Sequence, residues 1–212
     1  MNKRQKAAII IERLKMLYPN PECGLSHRGD SFRLLIMAIL SAQCTDARVN
    51  EVSLALFERF PSAESMVASK KGEIENIIYP LGFYNAKAEH LRRTSEVLIN
   101  EFGGVIPSDM DDLLRLSGVG RKVANLIRGD VFGLGGIVAD THCIRISVRL
   151  GLCDKPNPVS VEKALCALIP KNKQSDFCHG IVLFGRAVCR ARGPDCGVCV
   201  MNDICTYMQQ MK

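Results

Sequence analysis

Apolar residues recur along this chain at intervals of three and four positions, the spacing that places them on one face of an α-helix. The clearest segment lies within 32–40, where one face carries Phe32, Leu35, Ile36, Ile39 and Leu40. Similar faces lie within 7–17 and 177–188. Nowhere do two neighbouring segments alternate with the period of two expected of paired strands, and 135–142 is too short to anchor a sheet. The pattern predicts an all-α fold.

A tight turn between two helices is predicted at 116–122. A first short helix follows Pro107, where Ser108 and Asp111 have the spacing of a capping box. The turn itself contains Gly118, Val119, Gly120 and Arg121, and a second amphipathic segment begins directly after it. Glycines leave backbone amides uncovered at a helix start, where a phosphate can bind. The same turn also occurs in helical hairpins that bind nothing, and the local sequence leaves both interpretations open.

Composition and charge narrow the class of protein. A chain of 212 residues can bury the core of one or two domains, and its net charge of +6 favours polyanionic partners only weakly. No signal peptide is evident, and no run of about eighteen apolar residues could span a bilayer. We therefore expect a cytoplasmic, nucleoid-associated protein with no membrane partner. Ten cysteines in such a chain are expected to be buried or bound to metal, not paired in disulfides.

Four of these cysteines predict a metal centre near the C-terminal end. Cys189, Cys196, Cys199 and Cys205 form a C-x6-C-x2-C-x5-C arrangement within seventeen residues. Zinc and a four-iron four-sulfur cluster both accept four cysteines, and the spacing does not separate them. Arg190 and Arg192 lie between the first two cysteines, which favours a structural centre that presents both arginines to DNA phosphates. Alternatively, the two cations only offset the negative charge of the centre.

Two further residues are candidates for chemistry. Lys122 lies in the first turn of the helix after the glycines, where the helix dipole disfavours a cation. A lysine that attacks carbon must be unprotonated, and the helix start, the neighbouring Arg121 and partial burial would all favour loss of its proton. Asp140 precedes another helical segment, so it is either only an N-cap or also a carboxylate that stabilises developing positive charge or relays a proton.

These motifs together resemble those of the endonuclease III family of helix-hairpin-helix DNA glycosylases. The resemblance covers nearly the whole chain in order, in four segments. They are LLIMAILSAQCTD (34–46), GFYNAKA (82–88), LSGVGRKVAN (116–125) and ADTHCIRISVRLGL (139–152). The cysteine spacing matches that of the family as well. Departures from the usual family residues occur at Ser117, Gly129, Val148 and Phe184, and they leave the range of lesions open.

The resemblance implies a bifunctional base excision repair enzyme. It would remove oxidised pyrimidines from duplex DNA and cleave the abasic site by β-elimination, with Lys122 as nucleophile and Asp140 as its partner. Gln43 would fill the gap left by the extruded nucleotide and Phe83 would supply a second wedge, with helix-end packing as the alternative for both. His142 adjoins Asp140 in the sequence, and we expect it to orient that carboxylate and to contact DNA. The four cysteines would hold one 4Fe-4S cluster. We expect a monomer whose partner is damaged double-stranded DNA.

The resemblance also implies two lobes and leaves two rivals to exclude. Residues 24–135 would form a six-helix barrel that contains the hairpin, while 1–23 and 136–212 would form a discontinuous iron–sulfur domain. One rival is a monofunctional mismatch glycosylase of the same fold, but such enzymes typically lack the lysine that is present here as Lys122. The other is a non-enzymatic DNA-binding module with a structural zinc, which would leave Lys122 and Asp140 without a purpose.

Overall fold

The computed structural model describes residues 1–211, and within them it contains helices and no β-strand, which confirms the all-α prediction. No helix in this part of the chain is long and apolar enough to cross a membrane. Short 3-10 turns occur at Tyr79–Leu81, Lys171–Lys173 and Asn202–Ile204. The α-helices are α1 (Lys3–Leu17), α2 (Ser31–Leu40), α3 (Asp46–Arg59), α4 (Ala63–Val67), α5 (Glu73–Ile78), α6 (Tyr84–Phe102), α7 (Met110–Arg115), α8 (Arg121–Asp130), α9 (Thr141–Arg149), α10 (Pro158–Leu168), α11 (Gln174–Ala187) and α12 (Thr206–Met211).

The chain divides into two compact units. The central unit is Gly24–Val131, and the terminal unit joins Met1–Cys23 to Phe132–Lys212. The division expected from the sequence also begins the central unit at residue 24, but ends it at residue 135. The names "central unit" and "terminal unit" are used below for these two sets of residues.

The central unit is built around α2. Every side chain from Leu34 to Leu40 is buried, because this stretch is apolar on all sides and is surrounded by α3, α6 and α8. The helix begins at a capped end, where the Asp30 carboxylate accepts the Arg33 amide at 3.0 Å. The loop after α2 and the turn before α8 therefore lie next to the most deeply buried part of this unit.

A partly buried ion pair ties α6 to α5 in the central unit. The Arg92 guanidinium donates to both carboxylate oxygens of Glu75, at 2.8 and 2.7 Å, and to Ser69 Oγ at 3.0 Å. The Glu75 side chain is only 12% exposed. The hydrogen bonds from Arg92 outweigh the effect of burial and lower the pKa of Glu75 to about 2. The carboxylate is therefore held in its charged form.

The terminal unit packs α1 and α9 against α11, with α10 against α1 and α9. Its core includes Ile10 and Leu14 from α1, Ile146 from α9, and Phe177 and Phe184 from α11, all nearly inaccessible to solvent. The face predicted for the first helix ends at Leu14, because Leu17 is exposed. Chain segments from both ends of the sequence thus share one core.

The predicted capping box at Ser108 is wrong. The N-cap of α7 is Asp109, whose carboxylate accepts the amides of Asp111 and Asp112 at 2.8 and 3.4 Å. The carbonyl of Ser108 instead accepts a hydrogen bond from Arg128 at 2.9 Å. A carboxylate that serves two amides outcompetes a hydroxyl that serves one, so the helix begins one residue later than predicted.

Candidate functional site

The turn between α7 and α8 is fixed by α2 and α6. Gly118 has φ +79°, and a Cβ atom there would lie 3.0 Å from both Ile39 Cγ2 and His90 Cγ. Thr94 Oγ1 donates to the Ser117 carbonyl at 2.7 Å, and Ser117 Oγ lies 2.9 Å from His90 Nδ1. Both the backbone angle and the close approach require glycine at position 118. Ser117 is anchored by hydrogen bonds to α6.

The start of α8 has the properties of an anion-binding helix end. Gly120 is the N-cap, and it has no side chain to cover the first amides of the helix. A Cβ atom at Gly120 would meet nothing within 4 Å, so the space in front of these amides is open. Val119 has a different role, since its side chain is buried and its amide donates to the Leu116 carbonyl at 3.1 Å.

Lys122 is exposed in the first turn of α8, and so is its neighbour Arg121. The partial burial expected for Lys122 is therefore wrong. The apolar face of α8 carries Val123, Ala124 and Ile127 into the core, which leaves position 122 on the outer side of the helix start. A side chain in this position can reach a molecule bound in front of the turn.

Gln43 and Phe83 share a backbone feature that the sequence does not reveal. Both have left-handed backbone angles, with φ +54° and +49°, and both side chains are exposed. Among the non-glycine residues of the described chain, only Arg28 also has a positive φ. Such conformations cost roughly 1–3 kcal/mol and are concentrated at functional sites. The two residues predicted to enter DNA are thus held in strained loops of the central unit.

Asp140 is the N-cap of α9 in the terminal unit. Its Oδ1 atom accepts the Cys143 amide at 2.7 Å, and the residue is half-buried. His142 Nδ1 lies 3.2 Å from Arg145 Nη2, and the His142 ring packs against Gly185, where a side chain would collide with it. The capping interpretation of Asp140 is therefore observed, and one carboxylate oxygen remains for a second role.

Three arginines hold the segment 189–205, called the cysteine loop below. Arg145 donates to the Cys189 carbonyl at 2.9 Å, and Arg149 donates to the carbonyls of Arg190 and Ala191 at 2.8 and 3.0 Å. Arg13 binds the Val200 carbonyl at 2.6 Å and forms a two-point ion pair with Asp203. The sequence alone does not reveal this role, although Arg145 and Arg149 are spaced to lie on one face of α9.

Two thiols of the cysteine loop, those of Cys196 and Cys199, have raised pKa values. Burial raises the pKa of Cys196, and the nearby Cys189 and Cys205 raise it further. Burial is also the main cause of a raised pKa at Cys199. The Arg149 guanidinium reaches Cys189 Sγ at 3.4 Å, and the Met201 amide reaches Cys199 Sγ at 3.4 Å. No three of the four sulfurs, all within the described chain, lie within 4.8 Å of one another.

The two arginines inside the cysteine loop differ in their contacts. Arg190 donates to the Gly193 carbonyl at 3.3 and 3.2 Å, which closes the turn between the first two cysteines. The backbone amide of Cys189 is bonded to the Phe184 carbonyl at 3.0 Å, so the loop starts from the end of α11. Arg192 is exposed at the outer edge of the same turn. Arg190 shapes the loop and Arg192 faces outward.

Comparisons with known proteins identify the family. The sequence profile of the HhH-GPD superfamily of base excision DNA repair proteins matches residues 36–171. Endonuclease III of Synechocystis is 42% identical over 209 residues, which cover 98% of this chain and 95% of that protein. Endonuclease III of Escherichia coli K12 is 34% identical over 211 residues, with coverage of 100% and 99%.

The chain belongs to the endonuclease III family. Two solved structures of endonuclease III with DNA, one a non-covalent complex and one a trapped covalent intermediate, each superimpose with a TM-score of 0.92 at 37% identity. Each match covers 100% of this chain and 99% of the other. The fold and the family predicted from the sequence are confirmed. The protein is a base excision repair enzyme of the DNA glycosylase and abasic-site lyase class.

Proposed function

We propose that the protein removes oxidised pyrimidines from duplex DNA and then cleaves the abasic strand, with Lys122 as the nucleophile. The observation that carries this proposal is the exposed Lys122 at the uncapped start of α8, directly after a turn that α2 and α6 hold rigid. An amine placed there can reach a sugar whose neighbouring phosphate binds the first amides of the helix.

Access to the sugar requires that the damaged nucleotide leaves the duplex. Extrusion costs a few kcal/mol of stacking and pairing, and it costs least where damage has already weakened both. Gln43 fills the space that the nucleotide vacates, and Phe83 wedges the duplex beside it. Their exposed, left-handed positions support this role, because a preformed strained loop need not be ordered when DNA binds.

Lys122 performs the covalent chemistry. Its neutral amine attacks C1′ of the extruded sugar, so that an N–C1′ bond forms as the bond from C1′ to the base breaks. Ring opening gives a Schiff base, which acidifies the proton at C2′. Loss of that proton and expulsion of the 3′ phosphate then break the strand. Base removal and strand cleavage thus use a single amine, which follows Arg121 in the first turn of α8.

Asp140 acts as the partner of Lys122 in this proposal. One of its oxygens caps α9, which fixes the carboxylate, and the other stabilises positive charge on the sugar or takes a proton from the amine. His142 beside it meets the DNA, with its ring held against Gly185. If Asp140 acts in this way, Asp140→Asn keeps the cap and DNA binding and slows base release. Base release at the wild-type rate would reduce Asp140 to a cap.

We propose that Cys189, Cys196, Cys199 and Cys205 hold one 4Fe-4S cluster. The full-length similarity to endonuclease III relatives and the two N–H groups that reach the sulfurs support this proposal. When bound, the cluster cross-links the cysteine loop. The chain's own Arg13, Arg145 and Arg149 orient the loop so that Arg192 faces phosphate and Arg190 braces its turn.

The remaining assignments follow from this arrangement. In the central unit, the open amides after Gly118 and Gly120, together with Arg121, bind the phosphates that flank the lesion. We propose that the unit serves as the barrel domain and that the terminal unit serves as the iron–sulfur domain. A monomer that acts on damaged double-stranded DNA near the nucleoid is the expected form.

Borohydride trapping tests the proposal. Reduction of the Schiff base during reaction on a duplex that contains thymine glycol should link wild-type protein covalently to DNA. Lys122→Gln removes the amine, so it should give no adduct and no strand cleavage. Lys71→Gln, which changes another exposed lysine of the central unit, is the matched control and should trap like wild type. An undiminished adduct with Lys122→Gln would reject Lys122 as the nucleophile.

A further inference from the structure

Two exposed aromatic side chains, Tyr79 and Phe83, lie on one short connection of the central unit. Tyr79 is 63% exposed and Phe83 is 67% exposed, and both belong to the short connection between α5 and α6. Water-exposed rings of this size lose a large favourable burial energy unless a partner covers them. Phe83 has a role in the proposed function, but Tyr79 has none there.

The Tyr79 ring contacts a second aromatic ring. It packs against the ring of Tyr84 in a tilted arrangement, with centroids 4.8 Å apart and an interplanar angle of 48°. Pro80 follows it within a 3-10 turn, which restricts the backbone, and the Gly82 amide returns to the Tyr79 carbonyl at 3.3 Å. Tyr79 therefore remains largely exposed on a short connection with a restricted backbone.

The buried side chain of Lys87 contacts the same connection between α5 and α6. Lys87 is only 3% exposed, and its Nζ donates to the Leu81 carbonyl at 3.0 Å. Its backbone amide donates to the Phe83 carbonyl at 3.0 Å. Burial lowers the pKa of Lys87, and the nearby Cys44, which follows Gln43, opposes that change. A buried ammonium thus holds the connection that carries Tyr79 and Phe83, close to the loop that carries Gln43.

We propose that Tyr79, supported by Tyr84, stacks on the unpaired base opposite the extruded nucleotide and so forms an aromatic platform beside Phe83. This inference rests on the proposed function, because it needs a duplex from which a nucleotide has been extruded. Every base has a face that can stack on an aromatic ring, and such stacking contributes strongly and without sequence preference. An orphaned base next to two wedge residues is the partner whose chemistry fits an exposed, rigid tyrosine.

Binding to a duplex that contains a tetrahydrofuran abasic analogue opposite 2-aminopurine tests the stacking. Tyr79→Leu removes the aromatic face but keeps apolar bulk, and we expect it to weaken binding about tenfold and to relieve quenching of the 2-aminopurine. Tyr79→Phe should behave like wild type. Leu54→Ala is the matched control, because Leu54 is 64% exposed in the same unit. Unchanged affinity and fluorescence with Tyr79→Leu would overturn the inference.

Photo-crosslinking gives a second readout that needs no variant. With 5-iodouracil opposite the abasic analogue, irradiation of the wild-type complex should form an adduct that maps to Tyr79. Adducts found only outside 79–84 would overturn the inference. The proposed function can fail separately: if the wild type does not incise an abasic duplex, the enzyme assignment falls, whereas incision without any Tyr79 effect rejects only the platform.

Discussion

The hairpin turn before α8 and the cysteine loop both present backbone to solvent, but they are stabilised in different ways. The hairpin rests on a core that the apolar residues of α2 and α6 build, and hydrogen bonds to His90 and Thr94 fix it. The cysteine loop contains no α-helix between residues 189 and 205. Arginine side chains bind its carbonyls, and four cysteine thiols lie within it.

This difference predicts different dependence on a cofactor. The hairpin needs only the fold of the central unit, because its positive φ angle and close contacts are compatible with glycine at 118. The cysteine loop is built differently, since it contains no α-helix and carries four cysteines, the ligand set of a structural metal centre. The first region should therefore survive loss of metal, and the second should not.

Removal of one cluster ligand should give the largest effect. Cys199→Ser should abolish iron binding, since the binding energy of a structural four-cysteine centre is on the order of 10 kcal/mol. The expected results are loss of the brown absorbance near about 400 nm and loss of hydrogen-exchange protection across the cysteine loop. Amides of α2 should keep their protection, which would show that the two regions are stabilised independently.

Cys166→Ser provides the control for this experiment, because Cys166 is exposed and lies outside the quartet. It should retain colour and protection. A Cys199→Ser protein that keeps its iron, or that loses protection in α2 as much as in the cysteine loop, would contradict the comparison. Elemental analysis of the wild type separates iron from zinc in the same preparation.

Loss of the ion pair between Arg92 and Glu75 in the central unit should have the next largest effect. The lowered pKa of Glu75 corresponds to about 3 kcal/mol, and solvent screening of a partly exposed pair reduces this to about 2 kcal/mol. The unfolded carboxyl titrates near 4.5 and the folded one near 2. The stabilisation is therefore complete above about pH 5 and is lost as pH falls from about 4.5 towards 2.

Urea unfolding checks this expectation. Glu75→Gln should lower the free energy of unfolding by about 2 kcal/mol at pH 7, and the difference from wild type should shrink at pH 3. Glu89→Gln is a matched control, since Glu89 forms a solvent-exposed ion pair with Arg93 and both residues lie on α6. It should change stability by less than about 0.5 kcal/mol. If the difference in unfolding free energy between wild type and Glu75→Gln grew at low pH, Glu75 would not be stabilised in its charged form by the fold.

The two hairpin glycines should differ in which property they control. Gly118→Ala forces a side chain into a left-handed position against Ile39 and His90, and it should cost about 2 kcal/mol of stability. Gly120→Ala meets open space, so it should cost only about 0.5 kcal/mol. However, its methyl group would lie in front of the amides proposed to bind phosphate and should weaken DNA binding about tenfold.

Unfolding and fluorescence anisotropy of both variants measure these properties separately. Equal DNA affinity of Gly120→Ala and wild type would remove the start of α8 from the DNA contact. A Gly118→Ala protein as stable as the wild type would mean that the turn can relax, in contrast to the rigid hairpin described above.

Much of this fold follows from short-range patterns in the sequence. The periodic apolar residues of 32–40 predicted α2, and the glycines at 118 and 120 predicted the turn, because both depend on local periodicity and backbone freedom. Asp140 was correctly expected at an N-cap. The family followed from motif order, which the comparisons confirm.

Features that depend on distant contacts could not be predicted in the same way. Nothing local marks Gln43 and Phe83 as left-handed, since glutamine and phenylalanine rarely adopt that conformation. Arg13 lies 190 residues before its partner Asp203, so no window of sequence joins them. Lys122 was expected to be partly buried, but the apolar face of α8 turns it outward. The roles assigned to individual site residues stay predictions.

Peptide mapping of the trapped protein–DNA adduct tests the central claim most directly. After borohydride reduction and nuclease and protease digestion of the wild-type complex, mass spectrometry should find the added sugar on the peptide that contains Lys122. Because the amine that forms the Schiff base keeps the sugar, the modified residue is the nucleophile. A sugar on any other lysine, or on the N-terminal amine, would contradict the account.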